Sequence, residues 1–112
     1  MVDLSPEQLA QRASDLNLVD RRQLESVWSE LGTDVTMGEM QRVLLGRGIL
    51  TNYQFDRLAR GEKAGFFYGD YKILYLVGTG SFARVYRAAH RDTGKVVALK
   101  VLRTRYSENP LQ

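Results

Sequence analysis

One pattern recurs four times along the first sixty residues: an apolar residue, a capping residue, two free positions, Gln or Glu, and a second apolar residue. It reads Leu4-Ser5 with Gln8-Leu9, then Val19-Asp20 with Gln23-Leu24. It returns as Val35-Thr36 with Glu39-Met40 and as Leu50-Thr51 with Gln54-Phe55. Each copy has the form of a capping box with a hydrophobic staple. The cap side chain accepts from the amide three residues on, that residue's side chain accepts from the cap's own amide, and the apolar pair closes outside. Pro6 falls at the first helical position, where its missing N–H costs nothing. Gly32, Gly46 or Gly48, and Gly61 suit helix ends. The pattern predicts four short helices, over 6–16, 21–31, 37–46 and 52–60. Leu24, Val27, Trp28 and Leu31, then Met40, Val43 and Leu44, then Phe55 and Leu58 supply inner faces at helical spacing. Trp28 and the methionines read as core. The first and third caps stand 31 positions apart, as do the second and fourth, which predicts a duplicated helical hairpin. Helices this short need packing to persist.

The period then changes. Gly61-Glu62-Lys63-Ala64-Gly65 breaks the helical pattern, so 1–62 reads as a helical module and 63–70 as a linker. Within that linker Phe66-Phe67-Tyr68-Gly69 is strongly aromatic, and its rings are expected to pack onto one domain. Tyr71, Ile73, Tyr75 and Val77 alternate with Lys72, Leu74 and Leu76, predicting a strand over 71–77. A second strand covers 84–90, and Arg91-Asp92-Thr93-Gly94 is a tight reversal. A third, rich in β-branched residues, runs from Val96 to Leu102. The expected fold is α+β: a small all-helical domain of four short helices in two hairpins, then a three-stranded antiparallel meander within 71–112.

Composition narrows the function classes. The 112 residues carry a net charge of +3 with both signs interspersed, so nucleic acid is not an expected partner. Arg12, Arg21, Arg22, Arg42, Arg47, Arg57 and Arg60 read as a solvated face, because no glycine-rich nest accompanies them. With no cysteine, disulfides and thiolate metal sites are excluded, which suits a cytoplasmic setting. The N-terminus lacks the basic and apolar regions of a signal peptide, and no apolar run is long enough to span a bilayer. His90 has no second His or carboxylate cluster beside it, so no metal site is expected.

The candidate chemistry lies in Gly78-Thr79-Gly80-Ser81-Phe82-Ala83-Arg84-Val85, followed by Val97-Ala98-Leu99-Lys100. A glycine-rich loop lets backbone N–H groups come close to phosphates, and a lysine on a later strand adds a fixed positive charge. Gly78-x-Gly80-x-x-Ala83 also satisfies a loose dinucleotide-binding fingerprint. That motif needs a following helix and an acid about twenty residues on, whereas Val85-Tyr86-Arg87 reads as strand and position 98 is Ala. A Walker loop needs Gly-Lys followed by Ser or Thr, which is absent.

Residues 71–102 resemble the first three strands of a protein kinase small lobe, close to the Ser/Thr class and similar to kinases that occur in bacteria. The resemblance implies that Val77 and Val85 sandwich the adenine ring of ATP. It implies that Gly78, Thr79, Gly80 and the backbone of Ser81, Phe82 and Ala83 form the loop over the phosphates. Ala98 matches the small residue above the adenine, and Lys100 the lysine that contacts the α- and β-phosphates. Ala83 stands where the family usually has a third glycine, which implies a less flexible loop. The first sixty residues are similar to a helical module that precedes some bacterial kinases, and Leu50-Thr51-x-x-Gln54 resembles a turn in two-helix modules of secretion ATPases. This half is therefore expected to be a regulatory binder.

The resemblance also implies what should lie elsewhere. His-Arg-Asp and Asp-Phe-Gly occur nowhere in the sequence, so no catalytic residue and no Mg²⁺ ligand is expected within it. Glu108 is too close to Lys100 to serve as its helix partner. The expectation is the N-terminal piece of a longer kinase, inactive alone, whose parent phosphorylates a protein substrate. The other class is a non-catalytic binding or scaffold module. The edge of the 96–102 strand is long and nearly uncharged, so a homodimer through that edge is expected.

Overall fold

The computed structural model describes residues 4–103. Four helices come first: α1 (Pro6–Asp15), α2 (Arg21–Leu31), α3 (Met37–Gly46) and α4 (Asn52–Ala59). All four capping boxes close in both directions. Ser5, Asp20, Thr36 and Thr51 accept from the amides of Gln8, Gln23, Glu39 and Gln54, whose side chains accept from the cap amides in return. Eight donors that a helix start leaves orphaned are thus satisfied locally.

The 31-residue repeat extends into the turns. Asn17 and Gly48, equivalent positions, both take a left-handed backbone, at φ 60° and 69°. After each, two successive amides return to one carbonyl. Leu18 and Val19 donate to the Ala13 oxygen at 2.9 and 3.4 Å; Ile49 and Leu50 donate to that of Leu44 at 2.9 and 3.3 Å. The chain is thereby turned twice by one device. α1 packs on α4 and α2 on α3, so the first helix of each hairpin meets the second helix of the other. Leu9 and Met40, Ala13 and Leu44, Val19 and Leu50, and Val27 and Leu58 are repeat-equivalent and all buried. Full burial of each of these Leu, Met or Val side chains contributes about 1.5–3 kcal/mol, which is how helices too short to stand alone persist.

Four core assignments change. Trp28, Leu24 and Leu31 are only half-buried, because the helix turns Val27 inward instead. Met40 is core, Met37 is half-buried, and Met1 lies outside the described residues.

The chain divides between Lys63 and Ala64 into two compact units. Among the described residues the second is a sheet of four strands, not three: β1 (Phe67–Tyr68), β2 (Tyr71–Thr79), β3 (Ala83–His90) and β4 (Val96–Leu102), all antiparallel in the order β1-β2-β3-β4. β1 comes from the aromatic segment assigned to a linker. Two residues give no readable period, yet Phe67 pairs with Lys72 and Tyr68 with Tyr71. Phe66 is only 2% exposed, and its carbonyl accepts from the Ile73 amide at 2.8 Å.

β2 is not the simple alternation that its sequence suggests. Its register slips between Ile73 and Tyr75 and again between Leu76 and Gly78. Each slip places an extra residue on β2 and exchanges the faces. Ile73, opposite Ala88, is therefore buried, while Tyr75, opposite Arg87, is exposed. One face carries Ile73, Leu76, Tyr86, Ala88, Val97, Leu99 and Val101, with the Tyr68 ring 5.7 Å from that of Tyr86. The other carries Val85, Arg87, Ala98 and Lys100. The β3–β4 reversal is closed by His90, whose Nδ1 accepts from the amides of Asp92 and Thr93 at 3.2 and 3.3 Å, with Gly94 at φ 75°.

Candidate functional site

The glycine-rich segment is narrower than its sequence suggests. Strand pairing continues through the first glycine, with Gly78 opposite Val85 and Thr79 opposite Arg84. The loop proper is Gly80-Ser81-Phe82, closed by the Gly80 amide donating to the Ala83 carbonyl at 2.9 Å. Ala83 is not a loop residue. It heads β3, is buried, and pairs with Leu102. A third glycine would have left that buried place unfilled.

The register assembles the site. Gly78 pairs with Val85 and Val85 with Lys100, so the three lie in one row across three strands and on one face. Two interstrand spacings put the Gly78 and Lys100 backbones about 10 Å apart. Ala98 follows in the next row, opposite Arg87. Val85 is half-buried, while Ala98 and Lys100 are exposed. Val77 is 57% exposed at the second slip of β2, and Phe82 is 62% exposed at the loop tip. Thr79 pairs with Arg84, on the opposite face. The row therefore joins a methyl-free backbone, an apolar surface and a cation. Lys100 has no ion pair among the described residues.

The glycines have no internal explanation. Gly78 and Gly80 are not among the positive-φ residues. A Cβ at Gly78 would meet nothing within 4 Å, and one at Gly80 would meet only the Ala83 oxygen at 3.8 Å, an ordinary contact. Glycine inside a strand is destabilising by roughly 0.5–1 kcal/mol relative to alanine. Open space over the backbone beside a free cation fits an anionic group that approaches closely, such as a phosphate.

Sequence reasoning missed Arg103. It follows β4, and its amide donates to the Phe82 carbonyl at 2.8 Å. Its Nε donates to the Gly80 carbonyl at 3.0 Å and its Nη2 to Thr79 Oγ1 at 3.1 Å. The signal was available. With the reversal centred on Asp92 and Thr93, antiparallel pairing that sets Val85 against Lys100 also sets Phe82 against Arg103.

The arginines of the helical unit are largely committed to internal partners. Arg12 donates to the carbonyls of Gly61 and Glu62 at 2.9 and 3.3 Å, past the end of α4. Arg47 pairs with Glu30 and donates to Ser26 at 2.7 Å, while Arg57 and Arg60 both meet Glu62. Among the described residues no group of three or more His, Asp or Glu is placed to hold a metal, and no helix is long and apolar enough to cross a membrane.

Comparison with known proteins finds short matches to protein kinases. Over 38 residues, 34% of this chain, it is 50% identical to the serine/threonine-protein kinase H1 homolog of Danio rerio. It is 46% identical over 43 residues, 38% of the chain, to the RAC family serine/threonine-protein kinase homolog of Dictyostelium discoideum. Over 33 residues, 30% of the chain, it is 52% identical to protein kinase 3 of the same organism. The matched segments span 9%, 9% and 4% of those relatives' lengths. No family model matches the chain, and no solved structure does. The chain thus contains a short segment related to Ser/Thr protein kinases.

Proposed function

We propose that residues 71–102 are the opening strands of a Ser/Thr protein kinase small lobe that holds ATP on the Lys100 face. The observation that carries this is the row Gly78–Val85–Lys100, in which glycine has no internal reason to be present and the lysine has no internal partner among the described residues. On this reading Val77, Val85 and Ala98 seat the adenine. The backbone of Gly78, Gly80, Ser81 and Phe82 covers the phosphates, flanked by Thr79 on the opposite face and by Ala83 at the head of β3, and Lys100 aligns them. Bound Mg²⁺ would supply charge neutralisation from ligands outside this sequence. The parent protein, of the bacterial and cytoplasmic kind, transfers the γ-phosphate to hydroxyls of a protein substrate. The 112 residues alone lack the His-Arg-Asp and Asp-Phe-Gly sequences and are inactive. The helical unit acts as a regulatory binder, and the outer edge of β4 seats a second copy.

The test is Lys100→Met in the full-length protein, with phosphate transfer and circular dichroism measured together. Methionine keeps the apolar stem and removes the charge. Loss of one preorganised electrostatic contact lowers the rate by about 10²–10³, with the spectrum unchanged. Near-normal turnover would refute the assignment. A wild-type protein that transfers no phosphate would favour a non-catalytic binding module.

A further inference from the structure

The loop Gly80-Ser81-Phe82 is held in shape although glycine stands at its start. Arg103 supplies three hydrogen bonds to a segment of four residues: its amide to Phe82, its Nε to Gly80 and its Nη2 to Thr79. Strand parity says from which side they come. Val101 pairs with Arg84, and Arg84 with Thr79, so these three share the face opposite Lys100. Arg103 is two residues beyond Val101, so the alternation places it on that same side. A cavity of about 340 Å³ is lined by Tyr68, Arg84, Val101, Leu102 and Arg103, at the end of β4.

We propose that Arg103 is a positioning residue that grips the glycine-rich loop from behind and aims the Ser81 amide toward the ligand on the Lys100 face. In a trans peptide the carbonyl of one residue and the N–H of the next point in opposite directions. Among the described residues every peptide is trans. When the guanidinium draws the Gly80 carbonyl to the rear, the Ser81 N–H is turned to the front. Ser81 is exposed, and its amide has no partner among the described residues, whereas the Gly80 amide is already spent on Ala83. The grip is charge-assisted, since the donor is a cation with its N–H groups in a fixed fork. Thr79 contributes an acceptor through its hydroxyl, so a threonine outside the Lys100 face acquires a role in the site.

This inference rests on the reading of the Lys100 face as a nucleotide site, and the experiment separates the two. In the full-length protein, ATP dissociation constants and kcat are measured for wild type, Lys100→Met, Arg103→Ala, Arg103→Lys, Thr79→Val, Thr79→Ser and the Arg103→Ala/Thr79→Val pair. ¹⁵N relaxation of the Ser81 amide is recorded without ligand. Arg103→Ala is expected to weaken ATP binding about tenfold and to raise Ser81 mobility. Arg103→Lys, which lacks the fork, should recover little of the loss. Thr79→Val removes one oxygen and should weaken binding a few-fold, Thr79→Ser should restore it, and the pair should be no worse than Arg103→Ala alone. If Lys100→Met loses ATP while Arg103→Ala binds as wild type, the clamp is overturned and the nucleotide site stands. The same holds if the Arg103 and Thr79 effects simply add. If wild type binds no ATP, the nucleotide reading fails and takes the inference with it.

Discussion

Gly78→Ala separates what the fold needs at this position from what a ligand needs. The added methyl would meet no atom within 4 Å, and the backbone there is not left-handed. Alanine also restricts the unfolded chain more than glycine does. A compatible Gly→Ala change stabilises by about 0.4–1 kcal/mol. For a unit this small, 1 kcal/mol corresponds to about 4–8 °C in Tm, so the melting temperature should rise by roughly 2–8 °C. Affinity should move the other way. A methyl standing in the space over Gly78 holds a phosphate off the backbone, and a tenfold loss of ATP affinity, about 1.4 kcal/mol, is expected. Thermal denaturation followed by circular dichroism gives the first quantity, and calorimetric titration of the full-length protein with ATP gives the second. Opposite signs are the diagnostic result. A destabilisation beyond about 1 kcal/mol would mean that the sheet itself requires glycine. Unchanged affinity would mean that nothing approaches there. Either outcome removes the argument for the site.

Three further outcomes follow from the same structure. Thr51→Ala deletes the hydroxyl that accepts from the Gln54 amide at 3.2 Å, and should cost the helical unit about 1 kcal/mol, read as a lower Tm; an unchanged Tm would show the box to be idle. Of the four residues that close the boxes, Glu39 alone is ionisable, and its hydrogen bonds from the Thr36 amide and hydroxyl hold its carboxyl below the ordinary glutamate value. Its stabilising contribution is therefore full above the unfolded-state value, about 4.3, and is lost as pH falls through the lower folded-state value; Glu39→Gln should flatten that part of a stability profile against pH, and an identical acid limb would contradict this. Finally, β4 is an edge strand among the described residues, with Lys100 its only charge, so light scattering across a concentration series should show a dimer of the chain; a monomer at every concentration would exclude it.

How much of this was legible depends on how local each determinant is. The capping boxes are written within four residues each, so all four helices could be placed within a residue or two. The three long strands follow from alternation and from the Asp92-Thr93-Gly94 reversal. β1 was not legible, because Phe67 and Tyr68 are strand residues only by virtue of partners at Lys72 and Tyr71. The face exchange in β2 was hidden for a related reason: a slip at Leu74 leaves no mark on hydrophobic spacing, and it turned Tyr75 outward against the apparent pattern. Gly78 and Thr79 were read as loop because glycine usually interrupts a strand, yet both pair with β3. In the helical unit, Trp28 was read as core on its hydrophobicity, but the helix phase turns Val27 inward instead.

The crossed packing of the helices has a consequence for how such a unit can be built or taken apart. α1 meets α4 and α2 meets α3, so each hairpin presents to its twin the same pair of surfaces that the twin presents to it. That is the relation between the two halves of a two-fold symmetric dimer, here joined in one polypeptide by the short connection between Gly32 and Val35. The connection therefore contributes proximity more than contacts, fixing the partner at a high effective concentration. A single hairpin released from its twin would retain a surface complementary to itself, and the fused chain resembles an intramolecular pair whose monomers have lost the freedom to part.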